Sequence, residues 1–68
     1  MTNDFRARLM IEHSELMERT DKLRDFIVKE QFDALPEIDR KDLKEQLRHM
    51  EAYADVLSRR VSRLCGDA

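Results

Sequence analysis

The sequence predicts an all-α fold, an antiparallel two-helix hairpin with a short connector that assembles into a helical-bundle homo-oligomer. Three observations carry that expectation. Apolar residues recur with a period of about 3.5 in both halves of the chain. A brief connector between them holds the only proline. And the chain, at 68 residues, is too small to enclose a full core by itself.

One domain spanning residues 1–68 is expected from the length. A domain this small needs a staple from disulfides, a metal or partner chains. Cys65 is the only cysteine, so no intrachain disulfide forms, and a lone thiol fits a reducing cytosol. One cysteine and two histidines do not make a zinc set. Partner chains are what remains. With 41% charged residues, one Gly and one Pro, the composition favours long helices over strands, which need frequent turn residues. The net charge of −2, with acids and bases interleaved, argues against a broad nucleic-acid surface, and no DNA partner is expected, but it permits an anion pocket. No apolar run approaches the roughly 20 residues of a membrane span and no signal peptide is visible, so a cytoplasmic protein without a membrane partner is expected.

Helix 1 is expected over residues 3–30. Its stripe is Leu9, His13, Leu16, Thr20, Leu23 and Ile27, with Phe5 extending it one turn earlier. Thr2 or Asn3 is the expected cap, with Asp4 in the first turn. Glu15–Arg19 and Glu18–Lys22 stand at the i, i+4 spacing that adds a few tenths of a kcal/mol per pair. The connector, residues 31–36, ends on Pro36, which disfavours helix at Leu35 and suits the start of the next element. Phe32, Leu35 and Ile38 are expected to fold over the open end. Helix 2, residues 37–65, carries Leu43, Leu47, Met50, Ala54, Leu57, Val61 and Leu64, with Arg59, Arg60 and Arg63 complementing its dipole and Gly66 at its stop. Off these stripes lie Met10, Met17 and Val28 on one flank, Ile11 and Phe26 on the other, and Tyr53 and Val56 on helix 2. They are expected to form contacts between hairpins.

The sequence holds no enzyme constellation, and no catalytic residue, cofactor or metal is expected. His13 belongs to the stripe, Ser14, Ser58 and Ser62 sit inside helices without a nucleophile elbow, and no Gly-rich phosphate loop exists. Cys65 near the C-terminus reads as incidental, and His49 has no carboxylate or nucleophile at a diagnostic spacing. A binding signal is better supported. His49, Tyr53, Val56, Arg60 and Arg63 share one face of helix 2, and an aromatic ring beside guanidinium groups suits a nucleotide. The same residues also fit a plain solvated face, and spacing alone does not decide between the two.

Two strings bear on that choice: Arg8-Leu9-Met10-Ile11-Glu12-His13-Ser14-Glu15-Leu16, followed by Lys22-Leu23-Arg24-Asp25-Phe26-Ile27, and Gln46-Leu47-Arg48-His49-Met50-Glu51-Ala52-Tyr53, followed by Leu57-Ser58-Arg59-Arg60. Together they resemble the hairpin domain shared by phage anti-CBASS and anti-Thoeris sponge proteins, over nearly the whole chain. The resemblance implies a homo-oligomer, commonly a hexamer, in the cytoplasm of an infected bacterium. It would sequester cyclic di- or trinucleotides such as 3′,3′-cGAMP without cleaving them. In that pattern a ring near the start of helix 1 stacks on a base and a lysine meets a phosphate. Phe5 and Lys22 take these places, with Arg8 on phosphate and Glu12 on a base edge. For a cyclic trinucleotide the resemblance implies Arg63, or Arg60 in a shifted register, with Arg24 lining the same site. Two other readings stay open: a small RNA-binding hairpin dimer, supported by Arg59, Arg60 and Arg63, and an adaptor that binds another protein's helix.

Overall fold

The computed structural model describes residues 4–64. Within them the chain is all-helical: α1 (Phe5–Ile27) and α3 (Glu37–Leu64) are long, and a single turn, α2 (Glu30–Asp33), lies between them. The long helices run antiparallel. Arg24 near the end of α1 reaches Glu51, whereas Phe5 and Arg8 at its start share a groove with Arg60.

The stripes form the seam. Leu9, Leu16 and Thr20 of α1 are buried against Ala54 and Leu57 of α3, with Met50, Val61 and Leu64 packed beside them. His13, Leu23, Ile27, Leu43 and Leu47 fill the half-buried margins. Thr20 is polar and nearly inaccessible, but its hydroxyl donates to the Leu16 carbonyl at 2.7 Å. That bond within one turn removes the penalty of burying an unpaired hydroxyl.

Helix α1 opens on Asp4, whose Oδ1 accepts from the Arg6 N–H at 3.0 Å. Asp4 is therefore the cap itself rather than a first-turn residue, and its extended backbone (φ −65, ψ 117) is what the capping position requires. The other cap candidates, Thr2 and Asn3, lie outside the described residues, as do Cys65 and Gly66.

The far end departs further from expectation. Helix α1 stops at Ile27, not near residue 30, and the chain runs through extended Lys29 into α2. This break turns Phe32 back toward the hairpin, where it is 3% exposed and meets Phe26 edge-on at 6.0 Å between ring centres. Burying a ring in this way contributes on the order of 2 kcal/mol, enough to outweigh one lost helical turn. Phe26 is accordingly packed inside the hairpin and is not a free flank residue. Ile38, by contrast, is exposed and does not close the open end with Phe32 and Leu35.

Helix α3 begins after Pro36, whose carbonyl accepts from the N–H groups of Asp39 and Arg40, both at 3.0 Å. Glu37 and Asp39 in its first turn suit the positive end of the dipole. The Arg40 guanidinium donates back to the carbonyls of Leu35 and, at 3.4 Å, Asp33. It thereby satisfies connector oxygens that no helix can use. Arg40→Ala should lower stability by about 1 kcal/mol, read as an earlier urea midpoint; an unchanged midpoint would leave the connector without this clasp.

Met10, Ile11, Met17, Val28, Tyr53 and Val56 all stay exposed. The molecule measures 45 × 25 × 16 Å, and its shortest dimension is little more than one helix diameter. A single helical layer covers one face of each element and leaves the rest open.

Candidate ligand groove

Phe5, Arg8 and Glu12 succeed one another at spacings of three and four, so they line one edge of α1. The antiparallel pairing brings Arg60 of α3 to the same edge. With Leu9 as floor, these residues bound an open groove of about 300 Å³. Phe5 is 56% exposed, so its ring is available for stacking.

Tyr53 stands seven residues before Arg60 on the same edge of α3. Its hydroxyl donates to Oε2 of Glu12, joining the two helices beside the groove. That bond is the main cause holding the phenol above its ordinary value of 10.0; partial desolvation and the Glu12 charge add to it, while Arg60 and Arg19 oppose it. A phenol whose pKa is higher folded than unfolded supports folding below its unfolded value. That support fades as pH rises through the folded value.

The remaining site candidates lie elsewhere. Lys22 is seventeen residues beyond Phe5, about 25 Å along α1 at 1.5 Å per residue. Its Nζ stands 3.8 Å from Glu18. Arg24 lies on the opposite edge, where it holds Asp21 and Glu51 at 2.8 Å each. Those two carboxylates, the Glu51 hydrogen bond foremost, raise its pKa further. Arg63 is exposed in the last turn of α3. Thus the residues that converge within one chain are Phe5, Arg8, Glu12 and Arg60. The shifted-register choice, Arg60, is brought to the dinucleotide set rather than to Arg24.

A second groove of about 400 Å³ opens on the Arg24 edge, with His13, Met17 and Thr20 facing Glu51, Asp55 and Ser58. Among the described residues, no group of three or more His, Cys, Asp or Glu side chains is placed to hold a metal. No helix there is long and apolar enough to cross a membrane.

The Phe5–Arg60 groove can stack a planar ring, pair with an anion and accept hydrogen bonds. These are means of holding a ligand. In keeping with that chemistry, the family model that matches the sequence is Sequestin, over residues 3–63. The chain belongs to the Sequestin family. No curated protein and no solved structure matches it. The family name denotes sequestration, which is binding rather than catalysis, and agrees with the sponge resemblance read from the two strings.

Within this Sequestin hairpin, sequence reasoning left Tyr53 out of the ligand set although it placed the ring on the arginine face of helix 2. The missing information was the hairpin register, which puts position 53 opposite position 12. It also passed over the pair formed by His49 and Glu45, 3.6 Å apart at i, i+4. That exposed pair supports the helix and lies outside the groove.

Proposed function

We propose that this Sequestin-family hairpin captures cyclic oligonucleotide second messengers and holds them uncleaved, so that a phage producing it silences a bacterial immune signal. The observation that carries the reading is the convergence of Phe5, Arg8, Glu12 and Arg60 from both helices on one groove. A nucleotide offers a base to stack and phosphates to pair. Guanidinium forks meet phosphate oxygens in charge-assisted hydrogen bonds that are stronger than neutral ones. Among the described residues Arg8 and Arg60 hold no ion pair, whereas Lys22 and Arg24 do. The two groove arginines are thus free to receive an anion.

The assembly proposed is a homo-oligomer, a hexamer in the resemblance. Two features support association: the single-layer thickness and the exposed Met10, Ile11, Met17, Tyr53 and Val56. Association would also explain Lys22. A cyclic dinucleotide does not span about 25 Å of helix, so Lys22 would join Phe5 only across a boundary between chains. For a cyclic trinucleotide, Arg63 is the better donor, because Arg24 would have to release both Asp21 and Glu51.

Calorimetry against cyclic di- and trinucleotides, paired with solution mass, tests the reading. Binding of 3′,3′-cGAMP or a related messenger by an oligomer, with intact ligand recovered on heating, is the expected result. Silence across the whole panel would sink the proposal. Salt-sensitive RNA binding in its place, with a log–log slope of several units, would move the function to the RNA-binding reading.

A further inference from the structure

Among the described residues, the Glu12–Tyr53 pair is the one polar link that crosses the seam on the groove side. We propose that this pair reads the base, and that it selects guanine over adenine in whatever cyclic nucleotide the groove accepts. The inference rests on the messenger-binding reading and deepens it.

An ionised carboxylate accepts hydrogen bonds and donates none, with about four lone-pair sites across its two oxygens. Tyr53 occupies one site on Oε2. Oε1 has no donor among the described residues, and Glu12 lines the groove directly. The groove therefore presents a solvent-facing carboxylate, held by Tyr53 on one oxygen, whose other lone pairs only water occupies before a ligand arrives. Guanine carries adjacent N–H donors, the ring N1–H and the exocyclic amino group, which match two carboxylate oxygens side by side. Adenine sets a ring lone pair next to its amino donor, and that lone pair would face the carboxylate with repulsion instead of a bond. A base that cannot donate there would displace the water on Glu12 without replacing its hydrogen bonds, and so binds more weakly.

Tyr53 acts through Glu12. A glutamate on an open helix face samples several rotamers, and the hydroxyl from α3 holds the carboxylate in one of them. It is a positioning residue. The raised phenol pKa keeps the hydroxyl a donor throughout the neutral range. Three charged side chains bear on that phenol: Glu12 and Arg19 from α1 and Arg60 from α3. Arg8 and Arg60 would pair with phosphate, which is common to all messengers, so they contribute affinity without base preference.

The test is calorimetry on the full chain with 3′,3′-cyclic di-GMP and 3′,3′-cyclic di-AMP. Wild-type protein should favour the guanine ligand by about tenfold or more. Glu12→Gln should bring the two affinities to within about threefold. Tyr53→Phe should narrow the ratio by weakening the guanine ligand while leaving the adenine ligand unchanged; a merely structural effect would weaken both alike. Solution mass and thermal unfolding confirm that each variant folds and assembles. Tyr53 is the only tyrosine in a chain without tryptophan, so its absorbance titration gives a separate signature. Glu12→Gln should lower the titration midpoint toward the ordinary value. Equal wild-type affinities, or an unchanged ratio in Glu12→Gln, would overturn the inference and leave the sponge reading standing. Binding of neither ligand would overturn it too, and silence extending to cyclic trinucleotides would take the broader reading with it.

Discussion

Leu57→Ala is expected to destabilise the hairpin by about 3–4 kcal/mol, close to the whole stability that a core of this size supplies. Leu57 is 0% exposed and lies in the buried cluster with Leu9, Leu16 and Ala54. Truncation removes its transfer free energy and leaves a cavity, and the neighbouring Ala54 has no side chain long enough to fill it. Urea or thermal unfolding followed by circular dichroism should show most of the cooperative transition lost at room temperature. Leu57→Met, which conserves volume, should cost less than about 1.5 kcal/mol. Equal midpoints for wild type and alanine variant would mean that the seam does not hold the helices together.

The second large effect concerns the ligand. Removing either groove arginine, Arg8→Ala or Arg60→Ala, should weaken messenger binding by about 10- to 100-fold, the range of one charge-assisted hydrogen bond. The double variant should bring binding near the limit of detection, with a shallower salt dependence. Arg24→Ala is the contrast. It breaks the exposed pairs to Asp21 and Glu51 and should leave the unfolding midpoint almost unchanged, with dinucleotide affinity intact. Lys22→Ala discriminates further: it should weaken binding only if neighbouring chains complete the pocket, and solution mass should be unaltered. Calorimetry at two salt concentrations reads all five variants. Loss of binding in Arg24→Ala with none in Arg8→Ala would put the ligand on the wrong edge of the molecule.

The seam was legible because its signal is local. Leu9, Leu16, Ala54 and Leu57 announce themselves by spacing within their own helices, and spacing survives folding. The end of α1 was not legible in the same way. No Gly or Pro marks Ile27, and the break exists because Phe32 gains more by turning back to Phe26 than by extending the helix. That is a contest between local and tertiary energies, decided by a contact whose geometry the sequence does not display. Ile38 was misplaced for the same reason. The groove was half legible. Phe5, Arg8 and Glu12 share an edge by periodicity, but Arg60 and Tyr53 join them only through the alignment of two antiparallel helices, which pairs positions distant in the chain. The Arg24–Glu51 bridge, 27 residues apart in sequence, depends on that same alignment.

Thr20 has a consequence for that alignment. It is the one buried polar side chain among the described residues, and its hydroxyl is satisfied within its own helix. The interior of the seam therefore makes no hydrogen-bond demand across the two helices; its register rests on the interlocking of apolar side chains. The polar links that add to this register sit outside: Tyr53 on Glu12 along one edge and Arg24 on Glu51 along the other. These act as two pins on the rims of a packed joint, each reachable by solvent, salt or a bound molecule. Anything that competes for Glu12 thus acts on the setting of the whole hairpin as well as on the groove, and ionic strength tunes the opposite pin independently.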